Sequence, residues 1–493
     1  MFHPHKSLSM NKISLFAIAL ALPLACQAQN VFTSPTLTIE PIEAEPGGTI
    51  RAYTVSANGI HRLEVSELPF ETASASDATV TLLPEQKYQT IDGFGFAITG
   101  STGYNLSKMK AEDRRAFLTR TFSPEHGYGA SYVRVPIGCS DFSLSNYTCC
   151  DTPGIENFAL TDEETKYIIP ALKEILEINP SVKIISSPWT PPRWMKTNGN
   201  WTAGHLKPEC YQDYATYFVK WIKAFAEYGI HITAVCPQNE SLQRYNSASM
   251  VMEWTEARDF IKQALGPKFR EEGIDTQIYV YDHDYDYCEE ESQKDYPTRI
   301  YEDADASQYI TGAAFHSYGG DASEMSNVHN ANPDKKLIFT ETTAGEWNAE
   351  GVRISVATND IKWQLLPVLK NWGCTFLVWN MMLDSERGPY RPGGCSTANG
   401  AVDIMKTDYA TITYNSYYYI VCLASVGIPV GSVRIGTSGD HEDVGTVAFR
   451  TPEGGYSLLL NNTSASPRAI TVAGPASFTV TVDANSAKVL TWK

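Results

Sequence analysis

The arrangement of apolar positions changes along this chain, and each change predicts a different kind of structure. Between residues 91 and 380, short apolar runs alternate with longer stretches whose apolar residues recur every three or four positions. The runs are Ile91–Ala97, Tyr132–Ile137, Val182–Ser187, Ile232–Pro237, Gln277–Tyr281, Ala313–His316, Leu337–Thr340 and Thr375–Trp379. A run of this length reads as a strand buried on both faces. The stretches Asp162–Ile178, Tyr211–Tyr228, Met250–Leu265 and Val356–Asn371 read as amphipathic helices between them. Thr161 or Asp162 and Ser249 are the expected caps. Strands alternating with helices in this way predict an α/β fold, a parallel (β/α)8 TIM barrel. The first run is the weakest strand of the set, because it is rich in glycine.

Both ends of the chain follow a β pattern instead. Thr36–Ile39, Thr49–Ser56 and Thr79–Leu83 lie before the barrel. Thr446–Phe449, Ser457–Leu460, Ala469–Val472, Phe478–Val482 and Val489–Trp492 lie after it. Turn sequences such as Pro452-Glu453-Gly454-Gly455 and Asp483-Ala484-Asn485 separate them. The expected organisation is a β-sandwich built from both termini, residues 29–85 and 426–493, appended to a barrel over 86–425. The sandwich is expected to brace the barrel, with a separate binding module as the alternative. Residues 1–28 read as a signal peptide: Lys12, the apolar run Ile13 to Leu24, then Ala25-Cys26-Gln27-Ala28. An exported protein follows, in the periplasm, at the cell surface or outside the cell. Cys26 opens an alternative, a lipid anchor, although Pro23-Leu24-Ala25 is a poor lipobox. No second run is long enough to predict a transmembrane segment.

Charge and cysteine content narrow the function. Lys and Arg total 39 against 56 acidic residues, a net −17. An acidic chain without a basic stripe argues against nucleic acid and anionic membranes as partners. The ten cysteines show no CxxC and no zinc spacing. Cys139, Cys236, Cys374 and Cys422 lie in apolar runs and read as packed thiols. Loop disulfides among Cys149, Cys150, Cys210, Cys288 and Cys395 are compatible with export. No metal or cofactor is called for. Tyr281-Asp282-His283-Asp284-Tyr285-Asp286-Tyr287 has no second ligand cluster and reads as an acidic, aromatic loop edging a cleft.

The chemistry gathers at the C-terminal tips of the strands, where a TIM barrel builds its active site. Two apolar runs end abruptly in glutamate, at Gln238-Asn239-Glu240 and at Thr340-Glu341. Two opposed carboxylates are the apparatus of glycoside hydrolysis, and a retaining enzyme needs them about 5 Å apart. One must stay ionised as nucleophile, which requires donors or a cation, and Arg134 is the natural supporting cation. The other must keep its proton as acid. Asn239 is placed to donate to a sugar 2-hydroxyl. The other tips carry Asp141, Trp189, Asp282-His283, His316, Tyr318, Trp379 and Asn380. Glu346, on the loop past Glu341, is expected to face solvent.

These segments resemble glycoside hydrolase family 30, on the side holding glucosylceramidase and β-1,6-glucanase. The resemblance rests on Asp92-Gly93-Phe94-Gly95, Arg134-Val135-Pro136-Ile137, Asp141-Phe142-Ser143, the run from Ser187 to Asn198, Gln238-Asn239-Glu240, His316-Ser317-Tyr318, Thr340-Glu341 and Val378-Trp379-Asn380. It implies a retaining mechanism with Glu240 as acid/base and Glu341 as nucleophile. It implies that Asp141, Trp189, Asn239 and Trp379 line the glycone subsite. The chain departs from the family pattern at Thr99-Gly100, where Thr-Asp is usual, and at Asn239-Glu240-Ser241, where Asn-Glu-Pro is usual. The expected function is a secreted retaining β-glucoside hydrolase, foremost a β-1,6-glucanase acting on β-glucan oligo- or polysaccharide. The alternatives are an exo-β-glucosidase, a glucosylceramidase-like enzyme, a β-fucosidase or β-xylosidase, and a non-enzymatic carbohydrate-binding protein. Trp194, Tyr245, Tyr285, Trp347 and Tyr390 are expected to edge the leaving-group side.

Overall fold

The computed structural model describes residues 48–493 except Ser74. The signal-peptide segment, Cys26 and the Thr36–Ile39 strand lie outside the described residues. The eight barrel strands are Gly93–Ala97, Tyr132–Ile137, Lys183–Pro188, Ala234–Val235, Gln277–Asp284, Gly312–His316, Lys336–Glu341 and Thr375–Asn380. Strands one to seven pair in parallel in chain order, and the eighth pairs with the first. Cys374 N to Leu337 O and Trp379 N to Thr342 O, both 2.8 Å, close the ring between strands seven and eight. The interior is filled by side chains such as Tyr132, Ile185, Tyr279, Ile338 and Leu377.

Two strands differ from expectation. The first starts at Gly93, because Ile91 N is already taken by Ser432 O of the sandwich side at 2.8 Å. Gly95 in it is a steric requirement: a Cβ there would lie 1.6 Å from the Tyr132 carbonyl. The fourth is only two residues long. Pro237 has no N–H to donate, and Glu240 turns the chain with φ +46°.

The helices bury the faces that their periodicity marked. Tyr211–Ala226 packs Tyr214, Phe218, Trp221, Ile222 and Phe225 inward. At about 1.5–3 kcal/mol per buried large apolar side chain, that face dominates its stability. Thr161 does serve as a cap, accepting from Glu163 N at 3.2 Å. Ser249 does not: the helix after strand four begins at Trp254, where Glu253 and Glu256 form a capping box. Three helices contain one widened turn, Glu164–Ile168, Ile261–Leu265 and Ile361–Leu365. Each is followed within two residues by a proline, Pro170, Pro267 and Pro367. A proline inside a helix has no N–H for the usual partner, and the ladder widens around the gap.

Nine strands from both ends of the described chain form the sandwich. Their order is Phe478–Val482, Arg468–Ala473, Ala78–Thr90, Val433–Ser438, Val444–Arg450, Tyr456–Asn462, Ser486–Trp492, Thr49–Ser56 and Arg62–Pro69. Arg62–Pro69 escaped the sequence reading because it is an edge strand with mostly exposed side chains. The sandwich core contains Ile50, Val80, Leu458, Ile470, Phe478 and Trp492. Sandwich and barrel are joined by Gln89, whose amide donates to Leu369 O and Gly373 O and accepts from Arg434 Nε. Helix Ser416–Gly427 is buried almost all round and fixes the same joint. This bonding fits the bracing role. No helix among the described residues is long and apolar enough to cross a membrane. All nine described cysteines are free, so the disulfides entertained above are not formed. Cys149 and Cys150 are buried, with their thiols near Glu164 Oε1 and Gly154 O instead.

Candidate active site

Arg134, on the second strand, is the centre of a charged network at the strand tips. It is fully buried. Its Nη1 donates to Glu341 Oε2, and its Nη2 to Asn239 Oδ1 and Asp282 Oδ2, both at 2.7 Å. Asp282, on strand five, also accepts from Ser187 Oγ at 2.7 Å, Thr340 Oγ1 at 2.6 Å and His316 Nε2 at 3.1 Å. Its donors thus come from strands two, three, six and seven. Burial alone would raise the Asp282 pKa, but Arg134 and His316 hold it far below the usual carboxylate range. Burial would likewise lower His316, yet Glu341 and Asp282 raise it to about 10. His316 is therefore an imidazolium at neutral pH. A buried charge needs such complete pairing to be tolerated.

Glu240 and Glu341 face each other above this network. Carboxylate oxygens of both, and a His316 ring nitrogen, lie within 4.8 Å of one another. Glu341 Oε1 accepts from Tyr318 Oη at 2.9 Å. Glu240 Oε2 accepts from Asn246 Nδ2 at 3.2 Å, and Glu240 Oε1 lies 3.7 Å from His316 Nδ1. The two acids resist ionising together. Taken singly, Glu341 is pushed up, by burial first, while Glu240, which burial would raise, is drawn down by His316 and His283. The direct hydrogen bonds favour the opposite sharing of one proton. Glu341 receives a guanidinium and a phenol, whereas Glu240 receives one amide. These bonds place the ion on Glu341 and the proton on Glu240. The three atoms could also gather a cation, but Arg134 and charged His316 already neutralise the carboxylates, so the set fits a metal poorly.

The remaining expected residues surround this pair. Trp189 and Trp379 are buried and stack on each other, with centroids 4.9 Å apart and Arg134 at 5.0 and 5.6 Å. One face of each indole is therefore already covered. Asp141 approaches the pair closely enough that burial, Glu240 and Glu341 push it up to about 7, against the pull of Arg391. Asn239 Oδ1 is occupied by Arg134, so its amide N–H groups are the end left to donate. Asn380 is fully buried and accepts from Thr99 Oγ1 at 2.7 Å, tying strand eight to the cap of the helix after strand one. Glu346 pairs with Arg387 at 2.7 Å and is 53 % exposed.

The rim differs from expectation at two positions. Tyr245, Trp347 and Tyr390 are exposed on loops after strands four, seven and eight. Tyr285 is buried against Phe315 and Phe339 and does not edge the cleft. Trp194 turns inward, its indole donating to Cys150 O at 2.9 Å. Three residues have no role in the sequence reading. Asp282 stands there only as a strand-five tip residue in an acidic, aromatic loop, yet it is the hub of the network. Arg391 carries no signal beyond being a lone cation in a polar loop, and Lys196 lies in the run from Ser187 to Asn198 with no role of its own. Lys196 is buried, donates to Thr190 Oγ1 and Ser249 O, and is lowered by burial to about 7.

The model of the glycosyl hydrolase family 30 TIM-barrel domain matches residues 91–421. That match covers well over half of the chain. The chain belongs to glycoside hydrolase family 30. The family's beta sandwich domain matches residues 431–488. The chain is thus an O-glycoside hydrolase of a family whose mechanism is retaining. It is 51 % identical to a solved endo-β-1,6-glucanase, covering 90 % of this chain and 99 % of that one, with a TM-score of 0.87. An endo-1,6-β-D-glucanase of Aspergillus fumigatus is 29 % identical over 90 % of this chain and 93 % of its own. Lysosomal acid glucosylceramidase of Mus musculus is 28 % identical, covering 89 % and 87 %.

Proposed function

We propose that this enzyme hydrolyses β-1,6-linked glucan from within the chain, with Glu341 as nucleophile and Glu240 as acid/base. One observation carries the linkage: the 51 % identity with an endo-β-1,6-glucanase over nearly the whole of both chains. The carboxylate spacing supports the roles, since retaining catalysis needs about 5 Å between them and the oxygens lie within 4.8 Å. Glu341, held ionised by Arg134 and Tyr318, attacks the anomeric carbon. Glu240 gives its proton to the departing oxygen. The product is a glycosyl ester on Glu341 and a shortened glucan with a free 6-hydroxyl. Glu240, now ionised beside His316, takes a proton from the water that cleaves the ester. Asn239 donates to the 2-hydroxyl, and Asp141 accepts from hydroxyls farther round the ring. The apolar run after Lys12 supports export, with residues 1–28 as the signal.

The test is a product profile on β-1,6-, β-1,3- and β-1,4-glucan, with NMR of the first anomer formed. We expect oligosaccharides of mixed length from β-1,6-glucan, released in the β configuration. Cleavage confined to β-1,3- or β-1,4-glucan overturns the linkage, and an α product formed first overturns the roles.

A further inference from the structure

Arg391 is a fully buried arginine that the catalytic network does not use. It lies on the loop after strand eight and binds the loops after strands two and four. Its Nε donates to Ser140 O at 2.7 Å, and its Nη1 to Asn146 Oδ1 at 2.6 Å, Ser247 Oγ at 3.3 Å and Pro392 O at 3.3 Å. Its Nη2 is buried and has no hydrogen-bond partner among the described residues. An unmade bond on a buried guanidinium is costly. The carboxylate it faces is Asp141, with Oδ1 3.9 Å away. The two loops are pressed together at this point: a Cβ on Gly394 would lie 2.2 Å from the Asp141 carbonyl. Asp141 itself is only partly covered, with 19 % side-chain exposure.

We propose that Arg391 is a positioning residue for glycone recognition, holding Asp141 in place and ionised so that it accepts sugar hydroxyls. The inference rests on the proposed function, in which Asp141 lines the glycone subsite. The groups facing Asp141 are Glu240 and Glu341, which disfavour its charge, and Arg391, which favours it. With burial and the catalytic carboxyl pair against it, Asp141 is pushed up to about 7, and Arg391 is the opposing cation. An ionised carboxylate accepts from two hydroxyls at once; a protonated one spends an oxygen as donor. A guanidinium anchored to three loops also fixes where the carboxylate points.

The probe is the sulfur-linked β-1,6-disaccharide of glucose, a neutral ligand that is not cleaved. Its inhibition constant against an aryl β-glucoside is measured from pH 5 to 9, with KM and kcat. In the wild type, binding weakens as pH falls through the Asp141 limb. Arg391→Gln moves that limb up by about one pH unit or more, the shift expected on losing an opposite charge at this range. KM rises more than kcat falls. Arg391→Lys returns part of the shift, and Asp141→Asn binds weakly with no limb. Should Arg391→Gln fail to fold, Asn146→Ala carries the test: it removes one anchor from an exposed position and moves the limb in the same direction. A limb that stays in place in the folded variants, or persists in Asp141→Asn, overturns the inference. An enzyme that neither cleaves β-glucosides nor binds the probe overturns the proposed function instead.

Discussion

Replacing Asp282 with asparagine tests whether the site is held together by charge. The carboxylate accepts from Arg134, Ser187, His316 and Thr340, and all of these atoms are buried. The amide is nearly isosteric, so packing is preserved. One of its ends, however, can only donate, and it meets a donor. Removing one partner of a buried ion pair costs about 3–5 kcal/mol, because the remaining cation is left uncompensated. In a domain larger than 200 residues, each kcal/mol lowers Tm by about 2 °C, so the expected loss is roughly 6–10 °C. The loss also depends on pH. His316 is raised from 6.5 to about 10 in the fold. Its stabilisation is complete below 6.5 and declines as pH rises toward 10. Asp282 supplies part of that rise, so the gap between wild type and variant narrows over the same window. Activity falls as well: a displacement of about 1 Å in Arg134 is enough to cost about a hundredfold in turnover. Calorimetry from pH 6 to 10 and initial rates on an aryl β-glucoside measure both effects. Asp284→Asn is the control, because burial pushes that neighbour up to about 7 and its bond is to Tyr318 N. If Asp282→Asn melts and turns over like the wild type, or no differently from Asp284→Asn, the network does not organise the site.

Three further outcomes follow from the geometry. Glu341→Gln lowers turnover by several orders of magnitude while Tm is largely kept; azide rescue of Glu341→Ala gives the α-glycosyl azide, and a mechanism-based fluoroglucoside that labels another residue contradicts the assignment. Glu240→Ala slows substrates with poor leaving groups far more than activated aryl glucosides, and equal losses on both count against general-acid duty. Tyr245→Ala or Trp347→Ala raises KM for β-1,6-oligosaccharides and leaves aryl glucosides nearly unchanged, because both side chains are exposed on rim loops; a loss on both substrates places them in the glycone site instead.

The sequence by itself determined the elements and the two carboxylates. Buried strands and amphipathic helices leave distinct periodicities, and those periodicities are local. A glutamate ending an apolar run is local too, which is why Glu240 and Glu341 could be named with Arg134 as their cation. What the sequence did not contain was the pairing of side chains across the barrel. Asp282 looked like one acid among several in a tyrosine-rich loop. Only closure of the sheet brings donors from four strands onto it. Tyr285 and Trp194 looked like rim aromatics, and the turn of the backbone at Tyr281 and Asp282, both at positive φ, belongs to a segment that packs Tyr285 inward. The short fourth strand was legible only in part: Pro237 stands in the sequence, but the positive φ that turns the chain at Glu240 is a conformation, not a residue type. Arg391 shows the same division most simply. Its lone charge says nothing in one dimension, but three loops from distant parts of the chain fold around it and set it 3.9 Å from Asp141. Local patterns name the elements and the chemistry; long-range closure decides which charges meet, since a buried charge persists only where distant strands supply its partners.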